Sequence, residues 1–224
     1  MYPTREERKK INKLIPKIDR FKIEYKSATI EILQDSTFET AIRSEDIYWW
    51  CNCLNNRLGR LTETFVYVQT HYLREQERND EESQNIHTDK ILLDYFIEIF
   101  YYYFFSARDI LGQLLNIFCD LKIEEHKIFL NEKFVEKIKS KEIKSALTDF
   151  LNNTKDSYNI RNSFNHRFTP THQDLRAKRN IIKEDKKISF YSAQEIKTET
   201  FVNDIENLMK HLGCLMNRLI KEIK

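Results

Sequence analysis

Glycine and proline are almost absent from this 224-residue chain, with three of each. Folds made of many short strands need those residues at their turns, so the scarcity argues against a turn-rich β architecture and for long helices. Long apolar runs are missing as well. The greasiest stretch, Tyr95 to Phe105, is interrupted by Glu98 and falls short of the ~20 apolar residues that a membrane helix needs. Met1 to Lys10 lacks the apolar centre of a secretory signal, so a cytoplasmic protein with no membrane partner is expected. Cys51, Cys53, Cys119 and Cys214 show neither zinc-ligand spacing nor a disulfide framework, and they read as buried free thiols. No metal and no cofactor is expected. Nor is there an excess of one charge: 37 Lys and Arg against 35 Asp and Glu leave a net +2, so any nucleic-acid contact must come from local clustering.

What remains is helical patterning, read as one all-α domain over 1–224: a bundle of long antiparallel helices. Apolar residues recur at helical spacing from Ile11 to Leu33, with Pro16 as a start or kink; the alternation Phe21, Ile23, Tyr25 would also suit a strand. Ser36-Thr37-Phe38-Glu39 reads as a capping box opening a long helix along Ile47, Cys51, Leu54, Leu58, Leu61, Phe65, Val68 and Tyr72. Trp49 and Trp50 straddle that buried line and are expected in the core. Thr88 or Asp89 caps a second long helix reaching Asp120. One of its seams is apolar. The other runs Tyr95, Ile99, Tyr102, Ser106, Asp109, Gln113 and turns polar halfway. A shorter helix is expected over Glu125–Lys139, one long helix over Lys141–Phe168, and a last one from Thr198 burying Phe201, Ile205, Leu208, Leu212, Leu215 and Leu219. Between these two, 169–197 is a loop or small β-hairpin embellishment.

The helix after Lys141 carries the chemistry. Ile143, Leu147, Phe150, Leu151 and Tyr158 make an apolar stripe, and its projection reaches Arg161 and Asn165, where leucine or phenylalanine would be expected. Asn162 and His166, four apart, flank the same line. An unpaired buried guanidinium costs several kcal/mol, so this patch must be paired or must face a cleft. A fixed cation, two amides and a titratable imidazole suit a phosphodiester. Asp109 is the natural candidate to orient Arg161. From Arg167 to Lys187 there are seven Lys and Arg against three Asp and Glu, with Arg167, Arg176, Lys178 and Arg179 as candidate phosphate contacts.

Arg161-Asn162-Ser163-Phe164-Asn165-His166 resembles the Arg, four-to-six residues, His motif of the HEPN (higher eukaryotes and prokaryotes nucleotide-binding) superfamily, including the Asn after Arg that many members show. The resemblance implies a helical bundle that forms a homodimer and brings two motifs into one cleft. It implies a metal-independent endoribonuclease of toxin or defence type: the 2′-hydroxyl attacks the neighbouring phosphate, His166 moves protons, Arg161 stabilises the charged intermediate, and Asn162 fixes phosphate or imidazole. RNA, a second copy and an antitoxin or regulatory protein are the implied partners. The alternative is a non-catalytic HEPN-like domain binding RNA, nucleotide or a protein partner. Phe168 stands where some members carry a tyrosine that a partner nucleotidyltransferase modifies, so that mode of neutralisation is not implied.

Overall fold

Two helices set the frame. The structure, a computed structural model, describes residues 2–34, 37–77, 85–166, 169–171, 178–182, 187–191 and 196–223; for 85–87, 165, 166, 178–182 and 187–191 it describes the backbone alone. Short helices α1 (Arg5–Ile11) and α2 (Ala28–Leu33) precede α3 (Phe38–Glu77) and α4 (Asn85–Phe118). At 40 residues α3 is ~60 Å long. Its apolar residues supply the reason: Cys51, Leu54, Leu58, Leu61, Phe65 and Val68 are all buried, at three- and four-residue spacing. Along the pair, His71 meets Asp89, Tyr67 stacks on Phe96, Arg57 lies over Tyr103, and Arg43 donates to the Phe118 carbonyl. Positions fall on one helix as they rise on the other, so α3 and α4 are antiparallel.

After α4 come a 3₁₀ turn at Glu125–Lys127, α5 (Glu132–Glu136), α6 (Lys141–Asn153), α7 (Lys155–His166), strands β1 (Lys178–Ile182) and β2 (Lys187–Tyr191), and α8 (Thr198–Glu222). The strands pair antiparallel, with Ile181 opposite Ile188. Helix α8 buries Phe201, Ile205, Leu208, Leu212, Leu215 and Leu219. It packs on α6, α3 and α4, and a single cluster of buried side chains joins these helices. Arg218 on α8 binds Asp149 on α6 at 2.6 Å, and Tyr101 on α4 donates to Asp204 on α8. No described helix is long and apolar enough to cross a membrane.

Several sequence expectations fail for identifiable reasons. The periodic run Ile11–Leu33 is not one helix: α1 ends at Ile11, and residues 16–27 belong to neither helix nor strand. Pro16 cannot donate a helical hydrogen bond, and the segment's polar groups bond to the bundle instead. The Asp19 amide donates to Asn217 on α8, Asn55 on α3 donates to the Phe21 carbonyl, and the Phe21 ring is buried. The segment lies so close to α8 that a Cβ at Gly213 would come within 3.0 Å of the Lys17 carbonyl oxygen.

At the start of α3 Thr37 accepts from the Thr40 amide at 3.3 Å; Ser36, which the expected capping box includes, lies outside the described residues. Asp89 sits inside α4 rather than capping it. There it is buried against His71 and 3.8 Å from Arg74. The Glu125–Lys139 helix reduces to α5, where Asn131 caps the Phe134 amide. Trp49 is exposed, in a ring cluster with Tyr25 and Tyr48, whereas Trp50 packs against the core. All four cysteines are free, but Cys51 alone is buried, its thiol pushed up to about 12 by desolvation; Cys53 and Cys214 are exposed.

Candidate functional site

The motif helix is not continuous with α6. Thr154 interrupts it: its hydroxyl donates back to the Phe150 carbonyl at 2.8 Å, while its own carbonyl accepts from the Tyr158 amide to start α7. Such back-bonding by threonine competes with the helical ladder and bends the chain. The expected single helix Lys141–Phe168 is therefore two, and the apolar stripe shifts after the break. Ser157, Ile160 and Phe164 now look inward.

Three contacts fix α7. The buried Ser157 hydroxyl donates to Asp204 Oδ1 at 2.8 Å. The other oxygen of that carboxylate accepts from the buried Tyr101 hydroxyl at 2.6 Å. The Phe164 ring lies 5.6 Å from Tyr101 and 6.3 Å from Phe201. One carboxylate thus ties α4, α7 and α8 together. Desolvation, with the neighbouring Asp204 charge, pushes the Tyr101 phenol far up, so it stays a donor. At the other end of α7, Arg108 lies over the rings of Tyr158 and Phe105, at 4.6 and 5.0 Å.

Arg161 is half-buried on the edge of this packing. Nη1 donates to Asn162 Oδ1 at 3.2 Å, and Nε is buried with no hydrogen-bond partner. The side chain borders an open recess of about 230 Å³ between α4 and α7. Tyr95, Glu98, Ile99 and Tyr102 form its α4 wall, and Tyr101 and Phe164 its floor. Tyr95 and Tyr102 are 57% and 56% exposed, which shows that the recess opens to solvent. Arg57 of α3 lies over the rings of Tyr102 and Tyr103, at 5.9 and 5.2 Å. A wider groove of about 520 Å³ lies between the start of α3 and the end of α4, lined by Asp46, Asp120, Arg43 and Lys122 among others, with Phe38 its one aromatic side chain.

The expected Asp109–Arg161 pair does not form. Asp109 is half-exposed and its ion pair is to Arg108, at 3.4 Å. The cause is helix direction: Phe164 sits against Tyr101 and Tyr158 against Phe105, so α7 runs antiparallel to α4. Continuing that register puts Asp109 level with the start of α7, beyond reach of Arg161. Asn162 is therefore the one proposed supporting side chain seen to touch Arg161. Asn165 and His166 are placed as the last turn of α7, with their backbone described and their side chains not; Lys178 and Arg179 are likewise backbone positions on β1. Arg167, Phe168 and Arg176 lie outside the described residues.

Sequence reasoning missed Asp204 and Glu98. Asp204 had a signal, because it interrupts the spacing Phe201, Ile205, Leu208 with a carboxylate on the apolar face of α8. Among the described residues no three His, Cys, Asp or Glu side chains gather as metal ligands.

The chain is an antiparallel helical bundle with an Arg-Asn…His segment closing one of its helices. The Cthe2314-like HEPN family model matches residues 50–224, and the chain belongs to that family. No curated protein and no solved structure matches it.

Proposed function

We propose that the chain is a metal-independent endoribonuclease acting through Arg161 and His166 at a cleft between two copies. The observation that carries this reading is Arg161 itself. Its guanidinium is half-buried, touches an amide and no carboxylate among the described residues, and keeps a buried N–H without a partner beside an open recess. A cation positioned but not neutralised is what a phosphate site requires. In the reaction the 2′-oxygen forms a bond to the adjacent phosphorus and the bond to the 5′-oxygen breaks, leaving a 2′,3′-cyclic phosphate. One proton leaves the 2′-hydroxyl and one reaches the departing 5′-oxygen. Arg161 balances the charge on the pentacoordinate phosphorus, with Asn162 holding its Nη1.

Each motif contains one histidine, whereas the step uses a general base and a general acid. A symmetric pair supplies both from two His166 residues, and this is the chemical reason for a homodimer with the α7 ends near its two-fold axis. Arg167, Arg176, Lys178 and Arg179, all within the Lys- and Arg-rich stretch 167–187 of the sequence, are the proposed phosphate contacts.

The test incubates purified protein with a mixed pool of cellular RNA in EDTA. The expected result is cleavage with cyclic-phosphate ends, lowered about 10²–10⁴-fold by His166→Ala, and growth inhibition by the wild type that His166→Ala relieves. Intact RNA in EDTA, with equal tolerance of both proteins in cells, would replace this reading with a binding domain. Activity that disappears in EDTA and returns with a divalent metal would remove the His166 mechanism.

A further inference from the structure

We propose that the recess between α4 and α7 is a base-binding subsite for an unpaired guanosine in the RNA, its base stacked on Tyr102, its Watson–Crick edge on Glu98, and its phosphate on Arg161. This deepens the nuclease reading and rests on it for the role of Arg161. Three features of the recess point to one nucleotide. Tyr102 is 56% exposed even with Arg57 over its ring, so it offers an aromatic surface backed by a cation. Tyr95 lies two helical turns earlier on the same face, ~10.5 Å along the axis, and closes the far end. The volume, about 230 Å³, is below the ~300–1,000 Å³ of sites that enclose a whole drug-sized ligand, and suits a base whose sugar stays outside.

The charges select the occupant. Arg57 and Arg161 flank Tyr102, and neither has a carboxylate partner among the described residues. An apolar face of a second protein would desolvate both guanidinium groups and Glu98 without pairing them, which is costly. A nucleotide carries the π-face and the phosphate that these groups lack. Glu98 is exposed and has no hydrogen bond or ion pair among the described residues. An ionised carboxylate accepts with both oxygens. Guanine alone presents two adjacent donors, N1–H and N2–H, to such a pair. In adenine and cytosine the amino group adjoins an acceptor nitrogen, and uracil has no amino group.

The experiment measures equilibrium binding of fluorescein-labelled single-stranded oligoribonucleotides, identical but for one G or U, to the full chain carrying His166→Ala. The G-containing strand should bind about tenfold tighter. Adding Tyr102→Ala should weaken it about tenfold while Tyr102→Trp keeps the affinity, and Glu98→Gln should remove the preference for G. Equal affinity for both strands, or no effect of Tyr102→Ala, would overturn the subsite. So would dissociation of the dimer by Tyr102→Ala in sedimentation, which would make this face a contact between copies. G-selective binding by a wild-type protein that cleaves nothing would retire the nuclease and leave the subsite standing. Cleavage without base selectivity would do the reverse.

Discussion

Replacing Asp204 with alanine tests whether one carboxylate holds the recess together. The substitution takes the acceptor from two buried hydroxyls, Tyr101 Oη at 2.6 Å and Ser157 Oγ at 2.8 Å. An orphaned buried donor costs ~1–3 kcal/mol, which bounds the pair at about 2–6 kcal/mol. Asp204 is itself half-buried, so water can partly replace it, and the lower part of that range, about 2–4 kcal/mol, is expected. At ~2–4 °C per kcal/mol for a chain of this size, the melting temperature should fall by about 4–16 °C. Thermal and urea unfolding followed by circular dichroism measure it, with Asn203→Ala, exposed on the same helix, as the neutral control. Adding Tyr101→Phe and Ser157→Ala to Asp204→Ala leaves no buried donor unpaired, and should recover at least half of the loss. If Asp204→Ala lies within 1 kcal/mol of wild type, or if the triple variant is weaker than the single one, the three-helix tie is wrong.

Adding a side chain at Gly59 and at Gly213 should act in opposite directions. At Gly59 the nearest atom to an added Cβ is Arg20 Nη2 at 3.9 Å, so Gly59→Ala should stabilise α3 by ~0.5–1 kcal/mol; at Gly213 the Lys17 carbonyl oxygen stands 3.0 Å away, so Gly213→Val should dislodge residues 16–27 and open them to limited proteolysis. Acid should weaken the fold in two stages, read as melting temperature against pH. The buried His71 is pushed down chiefly by desolvation, partly offset by Asp89, so the unfolded chain binds the more protons there: that contribution is complete above the ordinary 6.5 and is lost as pH falls below it, and His71→Gln should flatten this limb. Glu7 is held down to about 2, first by the Arg74 hydrogen bond, so its contribution is complete above 4.5 and lost as pH falls through 2; Glu63, lowered first by its Arg8 hydrogen bond, acts in the same direction, so Arg74→Met should shrink that second limb without removing it.

The long helices were legible because their buried residues repeat with few interruptions. In α8 every apolar residue expected inside is inside, and in α3 the line from Cys51 to Val68 is buried throughout. Reading failed where a polar group outside the segment competed for its backbone. Residues 16–27 have helical spacing, yet Asn217 and Asn55 bond to that stretch from other helices. No window of sequence around Pro16 contains either asparagine. Thr154 is a local case, since a threonine hydroxyl can bend a helix from within, but threonine also occurs in α3 at Thr62, Thr64 and Thr70 with the same back-bond and no break. What separates them is the neighbourhood: Thr62 and Thr64 have buried leucine and phenylalanine on both sides, and Thr70 lies between the buried Val68 and His71, whereas Thr154 is followed by Lys155, Asp156 and the buried Ser157.

The candidate site shows a different limit. Sequence periodicity ranks the residues of one helix around its axis; projected past Thr154 it put Arg161 on the buried line, whereas the helix break leaves the guanidinium half-buried at the edge of the recess. It carries no information about direction relative to another helix. Pairing Arg161 with Asp109 required the late halves of α4 and α7 to lie together, as in a parallel pair. The antiparallel arrangement puts the late half of α7 beside the aromatic early half of α4, so Arg161 shares the recess with Tyr102 and Glu98. At that level of the bundle the seam Tyr95, Ile99, Tyr102 forms one wall of the recess, with both tyrosines exposed. A cation beside two open tyrosine rings and a carboxylate with no partner among the described residues is a different chemical offer from a cation neutralised by aspartate. This register leaves Arg161 without the Asp109 ion pair, which is the condition that the proposed phosphate role requires.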